Sequence, residues 1–193
     1  MRSRRSVRSF SAHSVPRETL EKLLEAARWA PSAGNRQAYR LFVVTAAAKL
    51  DEMAQAVEAA AVEMEGEARA DLKEGLRRYS RSFLHFKDAP VVIAAAFRSA
   101  IDLLSPGSAG SRPLIDAVSS VSAAIMNLIL AAQALSLGSC WMTGPLIAAD
   151  RLREIIGVPN GWDLAGLVAL GYPSAIPEPP QRRALDVLVR YIE

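Results

Sequence analysis

Residues 115–137 read IDAVSSVSAAIMNLILAAQALSL, and the fold turns on what this stretch is. Its length alone would let it cross a bilayer. Asp116, Asn127, Gln133 and the serines at 119, 120, 122 and 136 argue against lipid, where polar groups are costly. A helix apolar nearly all round is more simply a core helix, buried on several sides. Gly138 then ends it, as glycine does where a helix must stop.

The neighbours follow from that reading. Upstream, Ala89 to Phe97 (APVVIAAAF) is a continuous apolar run of strand length, which predicts a fully buried strand. Downstream, Ser139 to Met142 reads as a short strand, Ala149 to Ile156 as a short helix, and Leu164 to Leu170 (LAGLVAL) as another buried strand. Toward the N-terminus, Leu41 to Thr45 is a short apolar run expected to be a strand. In Lys49 to Glu65, the residues Leu50, Met53, Val57, Ala61 and Met64 recur at helix spacing. Ala68 to Phe86 is a charged, weaker helix with the character of a lid. Ser14 and Pro16 start a first helix that buries Leu20, Leu23, Leu24 and Ala27 and stops at Pro31. Pro106 to Pro113 is a Gly/Ser/Pro loop. Strands thus interleave with helices, which predicts a three-layer mixed α/β (α+β) domain spanning 1–193. The tail from Leu185 ends in Leu188, Val189, Tyr191 and Ile192. Those side chains would be exposed in a lone subunit, so the tail is expected to be an added strand or an arm that meets a partner subunit.

Composition narrows the chemistry. Hydrophobic residues make up 51% and charged residues 22%, which is globular rather than disordered. The net charge is +3, too small an excess to make nucleic acid the expected partner. Cys140 is the single cysteine, so no intrachain disulfide or dithiol pair can form. His13 and His85 are the only histidines, and a Cys/His metal site is not expected. No apolar run follows the arginine-rich start, so no secretory signal is visible and the cytoplasm is the expected compartment. The chain has no Walker phosphate loop, nucleophile elbow or dinucleotide fingerprint. An enzyme so poor in acid/base groups would rely on a cofactor for its chemistry.

Four segments suggest where that cofactor sits. Arg4-Arg5-Ser6-Val7-Arg8-Ser9-Phe10 offers guanidinium forks and a hydroxyl to a phosphate, and on a helix positions 4 and 8 would share a face. Pro31-Ser32-Ala33-Gly34-Asn35-Arg36-Gln37 combines small residues, which let backbone approach a flat ligand, with two amide side chains. Gly138 to Pro145 (GSCWMTGP) places backbone N–H groups at a strand end, with Cys140 read as a packed thiol. Arg182 and Arg183 precede the tail. Each segment also has a plainer reading, as a solvated basic end, an ordinary turn or core.

Taken in order, RRSVRSF, APSAGNRQ, AAIMNLILAA, LGSCWMTGP and LVALGYP resemble the FMN-dependent nitroreductase family over about Arg4 to Arg183. The resemblance implies a central, mostly antiparallel sheet flanked by helices. It also implies a homodimer with two FMN sites at its interface and a C-terminal arm exchanged with the partner. By the same resemblance, Arg4, Arg5, Ser6 and Arg8 hold the FMN phosphate and one edge of the flavin. Pro31, Ser32, Ala33 and Asn35, with Gln37 close by, come from the other subunit. Trp141, Met142, Thr143 and Gly144 lie beside the ring, with a backbone N–H of Thr143 or Gly144 facing flavin N5. Arg182, or Arg183, is the C-terminal phosphate arginine. Gln37-Ala38-Tyr39 stands where family members commonly have Gln-Pro-Trp. The implied reaction is ping-pong hydride transfer from NAD(P)H through N5 to a small-molecule acceptor such as a nitroaromatic, quinone or enone. Two alternatives stay open: the same fold performing flavin cleavage or reductive dehalogenation, and a basic dimeric binding protein.

Overall fold

In the computed structural model, which describes residues 1–98 and 112–192, the apolar run before Phe97 becomes the centre of a sheet. Strand β2 (Val91–Phe97) is buried at every position. It pairs antiparallel with β1 (Tyr39–Val44) on one side and β4 (Asp163–Gly171) on the other. Strand β3 (Gly138–Met142) pairs antiparallel with β4, giving the order β1-β2-β4-β3. An irregularity in the β2–β4 register at Ala95/Ala96 pairs Ala95 with Gly166 but Ala96 with Leu164, leaving Ala165 as the extra residue.

The two-residue period of the strands sorts side chains between two cores. Val91, Ile93, Ala95, Val168 and Leu170 face α1 (Arg17–Arg28) and α4 (Arg112–Ala134). Val92, Ala94, Ala96, Leu167 and Ala169 face the other way, toward α2 (Ala47–Glu67), the tight turn Arg81–Leu84 and α5 (Ala149–Ile156). Helices therefore cover both faces of the sheet, and the expected three-layer α+β arrangement is what the chain adopts.

Helix α4 is buried less completely than its composition suggests. Val121, Ala124, Ile125, Leu128 and Ala132 form one fully buried face at helix spacing. Each buried Leu or Ile there contributes roughly 2 kcal/mol. Leu114, Ile115, Val118 and Met126 instead stand exposed, because among the described residues α4 meets mainly α1 and the sheet. Asn127, the polar residue that argued against lipid, donates to the Ala26 carbonyl at 3.1 Å and ties α4 to α1.

Other boundaries move. The charged segment at 68–86 is α3 (Lys73–Ser80) followed by the turn Arg81–Leu84, not one helix. The tail holds one short helical turn, α6 (Leu185–Leu188), with its apolar side chains exposed. The loop expected at 106–113 lies almost wholly outside the described residues.

Candidate functional site: an arginine cradle along β3

The N-terminal segment is extended, not helical. Ser6 forms a parallel bridge to Ser139 on the outer edge of β3, and the Val7 N–H donates to the Ser139 carbonyl at 3.0 Å. Val7 is buried beneath it. The two-residue period of extended chain, rather than the helical spacing considered above, therefore puts Arg4, Ser6 and Arg8 on one side. The C-terminal stretch returns over them, and Arg4, Arg5, Ser6, Arg8, Glu178 and Arg182 line one cleft of about 240 Å³. Of the two C-terminal candidates it is Arg182, not Arg183, that reaches this cleft. Four guanidinium groups meet one carboxylate there, so the cleft is strongly cationic.

Arg8 also lines a second cleft of about 130 Å³, whose wall is Trp141, Met142 and Gly144. The opposite wall is Tyr79, Ser82 and Phe83. These three residues went unassigned in the sequence, where the charged run around them masks two aromatics that close onto β3 only in three dimensions. Phe83 is 4% exposed and packs edge-on to Tyr79, with ring centroids 4.9 Å apart. A β-carbon at Gly144 would clash with the Cδ1–Cε1 edge of the Phe83 ring. The missing side chain at Gly144 thus serves this wall as well as any ligand. Thr143, exposed, heads the turn Gly144–Ala148.

The arginines also act by charge on Cys140 and the half-buried His85. Cys140 is buried, and burial pushes its thiol up, with Arg8 and Arg4 opposing, as in a packed thiol. Burial pushes His85 down, and Arg8 adds to the effect while Asp88 opposes it.

A single carboxylate latches α3 to α2. Glu65 accepts from Ser80 Oγ at 2.9 Å and from Arg77 Nε at 3.2 Å. The Ser80 hydrogen bond, then Arg77, holds Glu65 below the usual carboxylate range against the opposing effect of burial. A carboxylate depressed in the folded state stabilises fully above its ordinary value, about 4.3 for glutamate, and that contribution is lost as pH falls through the lower folded value. Amides of residues 73–84 should therefore exchange faster, after correction for intrinsic rates, as pH drops below about 4. Glu65→Gln should flatten that dependence. A wild-type profile as flat as the variant's would remove the latch.

Pro31, Ser32, Ala33, Asn35 and Gln37 line neither cleft of their own chain. They sit at the far end of α1, where the Ala33 N–H donates to Ser120 Oγ on α4. A groove of about 940 Å³ between α2 and α5 is also remote. Along it Lys49 pairs with Glu52 and Arg151 with Glu154.

The cradle suits a flavin mononucleotide. A phosphate needs charge-assisted donors, which the arginines and Ser6 supply. Arg5 Nε, in the wall of the arginine cleft, is buried without a partner, an orphan donor of the kind that costs roughly 1–3 kcal/mol. Trp141 Nε1 is unpartnered too, but it is buried against Gly166 on the α1/α4 side of the sheet, where the indole packs on the core.

A sequence model of the nitroreductase family matches residues 1–172. The chain belongs to the nitroreductase family. An Archaeoglobus fulgidus protein named as an NADH dehydrogenase/NAD(P)H nitroreductase is 32% identical over 174 residues, covering 89% of this chain and 82% of its own. A BluB-like flavoprotein from Clostridium difficile 630 superposes with a TM-score of 0.82 at 25% identity, over 98% of this chain and 95% of that one. An iodotyrosine deiodinase solved with FMN and 3-iodo-L-tyrosine gives 0.76 at 26% identity, over 99% and 96%. The resemblance carried by the five motifs is borne out, and with it the reading of this nitroreductase-family chain as an FMN-type oxidoreductase. A deiodinase among the neighbours means that one fold houses more than one reaction.

Proposed function

We propose that the chain is a cytoplasmic FMN-dependent NAD(P)H oxidoreductase that reduces nitroaromatic, quinone or related acceptors, acting as a homodimer with two shared sites. The observation that carries this is the convergence of Arg4, Ser6, Arg8 and Arg182 on one cleft, which Arg8 joins to the Trp141–Gly144 strand end. In this reading Arg4, Arg5, Ser6, Arg8 and Arg182 hold the phosphate and one flavin edge, and Arg183 stays outside. Trp141, Met142, Thr143 and Gly144 border the ring, with a backbone N–H of Thr143 or Gly144 toward N5. When bound, FMN supplies the hydride relay between nicotinamide and acceptor. The chain's own residues orient the ring, favour negative charge on it through the arginines, and restrict the acceptor's approach with Tyr79 and Phe83.

Three features support the dimer. Leu114, Ile115, Val118 and Met126 form an exposed apolar stripe on α4. The tail exposes Leu185, Val187, Leu188, Tyr191 and Ile192, as an arm crossing to a partner would before it docks. The loop Pro31–Gln37 cannot reach its own cleft, so it closes the partner's.

The pure protein should be yellow, release about one FMN per chain on heating, and scatter light as a dimer. NADH or NADPH should bleach it, and a nitroaromatic or quinone should restore the colour. A colourless protein with salt-sensitive DNA binding would replace this reading with a basic binding module. The deiodinase neighbour makes reductive dehalogenation the second reading. Halide released from a halophenol, with no turnover of nitroaromatics or quinones, would favour it.

A further inference from the structure

We propose that Ser120, on the core helix α4, is a positioning residue that acts in trans: it sets the loop 32–37 that completes the partner subunit's FMN site. The inference rests on the shared-site reading above and assigns a residue that lies in neither cleft.

The loop's backbone is unusual. Gly34, Asn35 and Gln37 all have left-handed φ values, of 56°, 53° and 48°. Glycine takes that conformation freely and asparagine tolerates it, but glutamine has no local reason to adopt it. Such a backbone persists only when its surroundings over-determine it. Here they do. The Asn35 N–H donates to the Ser32 carbonyl at 2.9 Å, the Gln37 N–H to Ser32 Oγ at 3.0 Å, and Gln37 Nε2 to Asn35 Oδ1 at 3.2 Å. All of these bonds are internal to the loop and fix its shape but not its place.

Place comes from α4. Ser120 is 6% exposed. Its hydroxyl donates to the Asp116 carbonyl at 2.6 Å and accepts from the Ala33 N–H at 3.1 Å, which uses its one proton and one lone pair. One turn earlier, Asp116 takes Arg36 at 3.3 Å, on the surface where such a pair adds little. The Ser120 hydroxyl is thus the main fixed point between the loop and the core. The loop so held buries little of itself beyond that contact: the turn Ala33–Asn35 contains no buried residue, and Gly34 to Gln37 are exposed. A strained, anchored loop that stabilises no core of its own subunit is built for contact outside it. The exposed stripe of Ile115, Val118 and Met126 runs along the same helix that anchors it.

The test uses the intact dimer and FMN, with affinity from equilibrium dialysis and flavin absorbance. Ser120→Ala should leave dimer mass and the melting point of the FMN-free protein near wild type. It should weaken FMN binding about tenfold, the size expected from losing one hydrogen bond to a half-buried backbone N–H. Ser120→Thr, which keeps the hydroxyl, should restore binding. The decisive arm mixes Ser120→Ala subunits with Arg4→Ala/Arg8→Ala subunits under conditions of exchange. Action in trans predicts one tight FMN per heterodimer, because the intact arginines of one subunit meet the intact loop of the other. Action in cis predicts none, and that result overturns the proposal. So does wild-type affinity in Ser120→Ala, or an equal loss of melting point in Ser120→Ala and Ser120→Thr. A wild-type protein that holds FMN as a monomer would overturn the shared site itself, and this assignment with it.

Discussion

Replacing Arg4 and Arg8 together by alanine is expected to weaken FMN binding by more than about a hundredfold. One charge-assisted hydrogen bond to phosphate contributes about 1.5–3 kcal/mol, which is roughly ten- to a hundredfold in affinity for each arginine. The two side chains lie on one side of the same extended segment and line the same cleft, so the double change should cost more than either single one but less than their sum. Arg8 also lines the second cleft, where the proposed reading puts the flavin ring, so Arg8→Ala alone should shift the flavin spectrum, whereas Arg4→Ala should change affinity with little spectral effect. Titration of the FMN-free protein at two salt concentrations separates this from general charge loss, since a solvated basic patch is screened more strongly than hydrogen-bonded contacts. If the double variant binds FMN as tightly as wild type, the segment is only a basic end and the cradle is misassigned.

The second large effect is on stability. Gly144→Ala should lower the melting point by roughly 3–10 °C. The added methyl would occupy the space of the Phe83 ring. That ring is 4% exposed and packs edge-on against Tyr79, so it must shift against its neighbours to make way. Overpacking of this kind typically costs about 1–3 kcal/mol, which for a chain of this size corresponds to roughly 2–4 °C per kcal/mol. Shrinking the ring in the same protein, Phe83→Leu with Gly144→Ala, should recover part of the loss, a coupling that only residues in contact show. An unchanged melting point in Gly144→Ala, measured without FMN, would mean that the 81–84 turn yields easily and that glycine stands at this position for the ligand alone.

These two predictions draw on different levels of information. The arginine cradle could be anticipated from residue types: guanidinium groups beside a serine suit a phosphate in any backbone conformation. The conformation itself could not. Val7 turns the segment into an added strand by burying against the sheet, and the partners that make this possible, Ser139 and the chain after Gly171, are more than a hundred residues away. The choice between Arg182 and Arg183 was equally closed to sequence, since neighbours in an irregular stretch point apart and only the path of the returning chain selects one. Tyr79 and Phe83 were hidden for a related reason. A charged, weakly periodic segment says nothing of which β-strand end it will close upon, and the fit of Phe83 over Gly144 joins residues that share no local pattern.

The sequence by itself determined the elements and the family. An unbroken apolar run of strand length such as 91–97 suits a sheet covered on both faces, and the 3.6-residue period of Leu20, Leu23 and Ala27 names its buried side without reference to anything distant, whereas α4, apolar nearly all round, names none. Tertiary structure alone decided which surfaces were left over. Within one chain α4 is covered on one side, the tail on none, and the loop held by Ser120 faces away from its own cleft. Periodicity reports that a side chain prefers to leave water, whereas what removes it from water depends on where every other element comes to rest.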